Sequence, residues 1–213
     1  MPNKRDKEEE VIVHQTFATT FFEFKNIKLA SNLKKQIQAL NVKGIESKVA
    51  VEIKNNLDES NFDFFNREEK IIQDTVKYLS KSIKSSLNYL YKEKTEYSIY
   101  FPDSWYHICN ENSTHEKHMH SNCSWCGIFY IDEGDIDKGG HTVFNHPIAS
   151  NFFDNGSLIH RQGAIRIIPE TGKLILFPSF LEHYQALYTG KKSRIVVGFN
   201  SSVYASDGEN NEE

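Results

Sequence analysis

The chain lacks the short motifs that mark the commonest nucleotide-binding and hydrolytic enzymes. It contains no Gly-x-Gly-x-x-Gly, no P-loop and no Gly-x-Ser-x-Gly. The first two motifs cradle phosphates at the start of a helix, and the third presents a nucleophilic serine on a sharp turn. Their absence excludes the usual dinucleotide-binding, NTP-binding and α/β-hydrolase classes.

Cysteine and long apolar runs are also scarce. The 213 residues include three cysteines, Cys109, Cys123 and Cys126. This small, odd number does not suit a disulfide framework, so we expect a reducing, cytoplasmic compartment. No run of about 18 apolar residues occurs, so no membrane span is expected. The first ten residues are almost wholly charged and do not resemble a signal peptide.

The chain has no excess of basic residues. Lys and Arg number 25 against 29 Asp and Glu, a formal net charge of -4. No nucleic-acid partner is therefore indicated. Aromatic residues, in contrast, are plentiful at 13%, with 15 Phe and 10 Tyr. Such aromatic content favours a β-rich interior over a helical bundle.

The length suits one domain, which we assign to residues 11–203. Residues 1–10 and the acidic tail 204–213 are expected to be disordered. The first part of the domain, 11–96, is predicted to contain strands at 11–13, 18–24 and 49–53 and a polar, turn-rich segment at 55–65. Apolar residues at helical spacing predict two packing helices. They are Leu29, Leu33, Ile37 and Leu40 in the first, and Val76, Leu79, Ile83, Leu87 and Leu90 in the second. Asn66 and Glu69 resemble a capping box before the second helix.

From residue 97 the pattern changes to short β-type segments separated by turn signals. They fall at residues 97–101, 105–109, 124–131, 141–144, 164–168, 173–177 and 194–199. Many short strands at such spacing predict a mainly β fold with flanking helices, a sandwich or jelly roll. Residues 145–163 form a long loop with little periodicity, typical of one that covers a substrate.

Three histidines lie within six positions just before the segment at 124–131. Because alternate residues of an extended backbone project to the same side, His118 and His120 can reach one metal ion. A third ligand, His183, is expected at the end of an apolar segment far downstream, and Arg194 follows it by eleven residues. His115 is a spare histidine, assigned to the surroundings of the metal or to the loop surface.

The order of five motifs resembles the iron(II)- and 2-oxoglutarate-dependent oxygenases of the prolyl-hydroxylase-like superfamily, particularly a bacterial and phage group with His-x-His. The motifs are His-x-His, Cys-Gly-Ile-Phe-Tyr-Ile, Gly-Gly-His-Thr-Val-Phe, Gly-Lys-Leu-Ile-Leu-Phe-Pro-Ser-x-Leu-x-His and Arg-Ile-Val-Val-Gly-Phe-Asn. The resemblance implies a double-stranded β-helix, the cupin-like jelly roll. It also implies Fe(II), 2-oxoglutarate and O2, with hydroxylation of an amino acid, peptidyl side chain or small metabolite.

The resemblance also implies the roles of individual residues. His118, His120 and His183 would hold the metal, and Arg194 would bind the distal carboxylate of 2-oxoglutarate bidentately. Tyr130 matches a tyrosine that often hydrogen-bonds the same carboxylate, and Tyr106 is a weaker candidate. Asn200 shares the face of Arg194 by strand alternation. Gly127 is expected to be small because a cosubstrate or backbone passes close to it.

One feature departs from the family's commonest pattern, which is His-x-Asp/Glu followed by a distal His. Here the second position is His120. Either His120 replaces the carboxylate in a three-histidine site, or two histidines bind and a neighbouring group or water completes the set. A three-histidine set carries less negative charge, so it could also take up Zn or Ni.

Two alternatives remain at this stage. A non-catalytic jelly-roll protein could hold structural zinc through Cys123, Cys126, His118 and His120, since Cys-x2-Cys is a zinc spacing. The strand expected from residue 124 disfavours the turn that a zinc knuckle needs. The other alternative, a different cupin-like metal enzyme or a jelly-roll binding protein, leaves the spacing of His183 and Arg194 unexplained. No motif specifies the substrate or the oligomeric state.

Overall fold

The computed structural model describes residues 19–41, 54–91, 96–147 and 163–205. Within them, ten antiparallel strands form one curled sheet, the double-stranded β-helix that was predicted. The strands are β1 (Phe22–Lys25), β2 (Lys54–Glu59), β3 (Tyr97–Tyr100), β4 (Ser104–His118), β5 (Trp125–Asp132), β6 (Thr142–Asn145), β7 (Ala164–Ile167), β8 (Lys173–Pro178), β9 (His183–Tyr188) and β10 (Arg194–Ala205). Their order is β1-β8-β5-β10-β4-β9-β6-β7, with β2 also paired to β4 and β3 to β10.

All seven strands predicted after residue 97 are present, but two others were missed. No strand was predicted in the polar, turn-rich segment at 55–65, because Lys-Asn-Asn-Leu-Asp-Glu has little β-propensity. Pairing with β4 makes its first part a strand, β2, with Glu59 opposite His107. The other missed strand is β9, which begins at His183 and pairs with the far end of β4.

Both predicted helices are confirmed, as α1 (Ile27–Asn41) and α2 (Lys70–Tyr91). The predicted cap of α2 is wrong. Asn66 lies in a separate 3-10 turn, Phe64–Asn66. The Glu69 carbonyl accepts the first helical bond, from the Ile72 amide at 2.8 Å, and the Glu69 carboxylate turns to Arg67 instead.

The two helices cover one face of the sheet and bury a large apolar core there. Its helical members include Leu33, Ile37, Leu79 and Ile83, all at most 1% exposed. Tyr106, Phe129, Leu174, Val197 and Phe199 are among the sheet residues packed against them. We call this side the helix face.

The opposite side of the sheet, the cavity face, carries a smaller apolar cluster around Phe144, Phe177 and Val196. Gly127 lies in β5, and the reason expected for its small size is wrong. A Cβ at this position would lie 2.1 Å from the Phe199 ring. The side chain of the paired strand, not a cosubstrate or backbone, therefore requires glycine here.

Several predictions fall outside the described residues. They are the predicted strands at 11–13 and 49–53, the predicted disorder of residues 1–10, and most of the predicted loop at 145–163 and of the predicted tail. The tail was predicted to begin at residue 204, but Tyr204 and Ala205 are the last two residues of β10. The assignment of 11–203 to one domain stays a prediction. Among the described helices, neither combines the length and apolar character needed to cross a membrane.

Candidate metal centre and cosubstrate cavity

Three histidines converge on the cavity face, two from the paired strands β4 and β9 and one just beyond the end of β4. His118 ends β4 and lies opposite His183, the first residue of β9. His120 follows two positions after His118, as an extended backbone requires. One ring nitrogen from each histidine lies within 4.8 Å of the others. The three side chains together could therefore hold one metal ion.

The protonation of these rings suits metal binding. The Nδ1 atoms of His118 and His183 lie 2.7 Å and 2.9 Å from the carbonyl oxygens of Glu116 and Leu181. A carbonyl oxygen only accepts, so each Nδ1 carries the proton and each Nε2 keeps a lone pair. Burial, followed by the charges of His118 and His120, lowers the pKa of His183 to about 3. His183 is therefore neutral, the form that coordinates a metal.

Arg194 begins β10 and is 2% exposed, yet it borders the same cavity. Its guanidinium donates to the Gly140 carbonyl and to the Gln185 side chain. Within the described residues no carboxylate pairs with it, and its Nε is buried without a hydrogen-bond partner. A buried cation without a carboxylate needs an anion. The site thus fits the distal carboxylate of a keto acid.

Tyr130 stands behind the cavity wall. Its hydroxyl donates to Thr142 Oγ1 at 2.6 Å, and Thr142 lines the cavity. Burial raises the pKa of Tyr130 to about 12, although Thr142 and Arg194 act in the opposite direction. The phenol is therefore a neutral donor.

The structure does not bring the other two candidates to the cavity. Tyr106 projects to the helix face and packs on Phe64 with ring centroids 5.3 Å apart, because its neighbours Trp105 and His107 take the cavity side. Asn200 lies on the predicted face, but its amide donates to Asp103 at 3.0 Å and accepts from Cys126. Neither residue lines the cavity, so the structure does not support direct cosubstrate contact for them, and their predicted role stays a prediction.

A buried pair that the sequence did not reveal lies in the same wall. His107 Nε2 and Glu59 Oε1 are 2.6 Å apart, and both residues are less than 10% exposed. The His107 ring lines the cavity, and its centroid is 5.5 Å from that of the His115 ring. The His115 ring in turn stacks on the His118 ring, with centroids 4.1 Å apart. Because alternate residues of a strand share a face, the sequence could have placed His107 on the same side of β4 as Trp105. The sequence could not place Glu59 in the same way, because β2 was not expected.

These residues surround a cavity of about 530 Å³, its open mouth included. The histidines and Arg194 supply its polar wall, and Trp105, Ile128, Phe177 and Val196 supply apolar surface. A pocket with apolar walls and a few convergent polar groups is typical of small-ligand sites.

The zinc alternative is not supported by the geometry. Cys123 and Cys126 have Sγ atoms 3.7 Å apart, but they do not join His118 and His120. In the described part of the chain, the group of potential ligands that converges is the three histidines alone. The strand expected at Cys126 is present as β5, so no zinc knuckle forms.

The fold and the three-histidine cluster define the class of a double-stranded β-helix metal oxygenase. Residues 103–200 match the family described as "Putative 2OG-Fe(II) oxygenase", and the fold is that of the prolyl-hydroxylase-like 2OG-Fe(II) oxygenases. The cofactor of the class is Fe(II), with 2-oxoglutarate and O2 as cosubstrates. No curated protein sequence matches the chain.

Solved structures show the same fold at low sequence identity. A Pseudomonas putida prolyl-4-hydroxylase has a TM-score of 0.59 and 12% identity, covering 84% of this chain and 91% of that one. A Trichoplax adhaerens prolyl hydroxylase bound to a hypoxia-inducible-factor peptide has a TM-score of 0.58 and 14% identity, covering 84% and 83%. HygX of Streptomyces hygroscopicus, with nickel, 2-oxoglutarate and hygromycin B bound, has a TM-score of 0.57 and 9% identity, covering 86% and 83%.

Proposed function

We propose that His118, His120 and His183 hold the Fe(II) and that Arg194 binds the distal carboxylate of 2-oxoglutarate. The observation that carries this proposal is the presence, in one cavity, of three converging imidazoles and a buried guanidinium without a carboxylate. With Fe(II) bound, such a site would use O2 to oxidise 2-oxoglutarate to succinate and CO2 and to insert the second oxygen atom into a C–H bond of the substrate.

The protein's own residues bind and orient the reactants. The carbonyls of Glu116 and Leu181 fix the tautomers of His118 and His183, so both rings present Nε2. Gly140 and Gln185 hold the Arg194 guanidinium in place before the cosubstrate arrives, which lowers the ordering cost of binding. Tyr130 supports this wall through Thr142.

The ligand set is proposed to be three histidines rather than two. His120 lies 5.2 Å from His183 by ring centroids, with the planes inclined by 24°, and stacks on Trp105 at 5.8 Å. These contacts support a ring held beside the other two. Three imidazoles add no negative charge, and the cavity wall holds a buried carboxylate, Glu59, 2.6 Å from His107 Nε2.

We propose hydroxylation of an unactivated C–H of an amino acid, a peptidyl side chain or a small metabolite. The cavity opens to solvent and has both polar and apolar walls, as sites for side chains and small molecules do. Structures of the same fold bind a peptide in one case and hygromycin B in another, so both substrate classes belong in the first screen.

The test is a screen of free amino acids, peptides and small metabolites under 18O2 with Fe(II) and 2-oxoglutarate. The expected result is one class that stimulates succinate release and gains one labelled oxygen atom per succinate. The His183→Ala variant is the control and should give no product. A stimulated product that lacks the label, as in desaturation, would contradict hydroxylation while leaving the oxygenase class intact.

A further inference from the structure

Cys123 and Cys126 lie beside the cavity but take no part in the proposed reaction. Their Sγ atoms are 3.7 Å apart, and neither is in a disulfide. Cys126 is 1% exposed on β5 and lines the cavity, whereas Cys123 precedes the strand and is only partly buried. Two thiols at this separation, one of them accessible, can be joined by a small movement.

The two thiols differ in reactivity. The hydrogen bond with Cys126 lowers the pKa of Cys123 to about 7, against the opposing effect of burial, and Ser179 adds to the lowering. The same hydrogen bond and burial raise the pKa of the Cys126 thiol. A thiolate with solvent access attacks an oxidant first, and the neighbouring thiol resolves the product as it gives up its proton.

We propose that Cys123 and Cys126 form a reversible redox site that a peroxide converts to a disulfide. The Cys123 thiolate attacks one peroxide oxygen, the O–O bond breaks, and the departing hydroxide takes up the proton released by the Cys123 thiol and leaves as water, with a sulfenic acid remaining on Cys123. Cys126 then attacks this sulfur and expels the second water. The pair loses two electrons and two protons, and hydrogen peroxide is reduced to two waters.

Closing the disulfide should move Cys123 rather than Cys126. The sulfurs must approach to about 2.05 Å. Cys126 is fixed between Phe177 and Asn200 of the neighbouring strands. Cys123 has no strand partner, and the Ser179 hydroxyl donates to its carbonyl at 2.8 Å.

The movement has a path to the metal centre. The Ser179 carbonyl accepts from the His120 amide at 3.2 Å, and Ser179 lies in the turn that leads from β8 to His183. Displacing Cys123 therefore shifts the support of His120. The disulfide is expected to weaken metal binding, a consequence that rests on the proposed role of His120, whereas disulfide formation does not.

The first experiment uses the full-length, reduced, metal-free protein treated with hydrogen peroxide. Alkylation and peptide mass mapping should find a Cys123–Cys126 disulfide in the wild type and in Cys109→Ser, which keeps both thiols. The disulfide should be lost in Cys123→Ser and in Cys126→Ser and reversed by dithiothreitol. A failure to form it, or oxidation of Cys123 alone to a sulfinic acid, would overturn the redox site.

The second experiment titrates Ni(II) into reduced and oxidised protein after the peroxide has been removed. The disulfide should weaken Ni(II) binding about tenfold, the scale of losing support behind a ligand, whereas Cys123→Ser should bind equally before and after peroxide. A disulfide without this change would overturn the coupling to His120. Absence of Ni(II) binding in both states would overturn the coupling and contradict the proposed metal site, while the disulfide would still stand.

Discussion

The two faces of the sheet are both buried, but they bury different chemistry. On the helix face, α1 and α2 seal an almost wholly apolar layer. On the cavity face, a small apolar cluster adjoins histidines and a buried arginine. β10 serves both faces by alternation, because Val197 and Phe199 point to the helices while Arg194 and Val196 border the cavity. One strand thus carries stability on one side and chemistry on the other.

The difference has an energetic meaning. Apolar area removed from water stabilises the fold by about 25 cal/mol per Å², so the helix face supplies most of the folding free energy. Burying imidazoles and a guanidinium costs free energy unless a ligand compensates. Substitutions on the two faces should therefore separate, with loss of stability on one face and loss of function on the other.

The largest effect is expected for His183→Ala on the cavity face. Removing one of three proposed ligands should abolish 2-oxoglutarate turnover, because two imidazoles hold the metal too weakly. The free energy of unfolding of the metal-free protein should be retained, since the variant also removes a desolvated polar ring. Succinate release and urea unfolding measure the two quantities. His146→Ala, at an exposed position, is the matched control, and full turnover in His183→Ala would remove this residue from the metal site.

The converse effect is expected for Leu79→Ala on the helix face. Leu79 is fully buried in α2, so truncation should cost about 3 kcal/mol of unfolding free energy through lost burial and a cavity. Metal affinity per folded molecule should be unchanged. Leu187→Ala, at a residue 51% exposed, should lose little. A loss of metal affinity equal to that of the ligand variants would show that the faces are not separable.

Charge contributes on the helix side through Asp132, which pairs with Lys34 of α1 at 2.5 Å and with Lys192 at 3.0 Å. Burial opposes ionisation, but these bonds and the Gly134 amide hold the pKa of Asp132 below its usual value. Asp132→Asn should cost about 2 kcal/mol at neutral pH, the scale of charged hydrogen bonds.

The pH dependence follows from the sign of that shift. The stabilisation is complete above the unfolded-state pKa of about 3.9 and is lost as the pH falls through the lower folded-state value. The difference between wild type and Asp132→Asn in urea unfolding should therefore shrink below about pH 4. Asp137→Asn, at an exposed position, is the control, and a pH-independent difference for Asp132→Asn would contradict the ion-pair account.

Arg194→Lys tests the cosubstrate end of the cavity face. A point charge replaces a planar fork, so the 2-oxoglutarate concentration for half-maximal turnover should rise about tenfold, the value of one charged hydrogen bond. The maximal rate should change less than this requirement. Exposed Arg166→Lys on β7 is the control. If Arg194→Lys leaves the 2-oxoglutarate concentration for half-maximal turnover unchanged, Arg194 does not bind the distal carboxylate of the cosubstrate.

The smallest effect is expected for Tyr130→Phe. The hydroxyl donates to Thr142 rather than lining the cavity, so its loss should raise the 2-oxoglutarate requirement only about threefold. Calorimetric titration of 2-oxoglutarate measures this directly, with Tyr204→Phe, exposed on β10, as the control. An effect as large as that of Arg194→Lys would indicate direct contact between Tyr130 and the keto acid.

Much of this division was predictable from the sequence, because alternation and helical spacing are local. The stripes of α1 and α2 predicted the helix face, and the spacing of His118, His120 and His183 predicted the cluster. What failed depends on pairing between distant segments. Glu59 could not be predicted as a site residue, because it lies in β2, a polar segment that is a strand through its pairing with β4. Asn200 was predicted on the correct face of β10 but lies beyond the cavity. Alternation gives the side of a strand, and only the register gives the position along it.

The most direct test of the account is succinate formation by anaerobically prepared protein supplied with Fe(II), ascorbate, 2-oxoglutarate and O2 but no substrate. Slow turnover is expected, and it should disappear in His118→Ala and His183→Ala while both variants remain folded. If the wild type releases no succinate and binds no 2-oxoglutarate, or if the variants keep its rate, the three histidines are not the centre of the reaction.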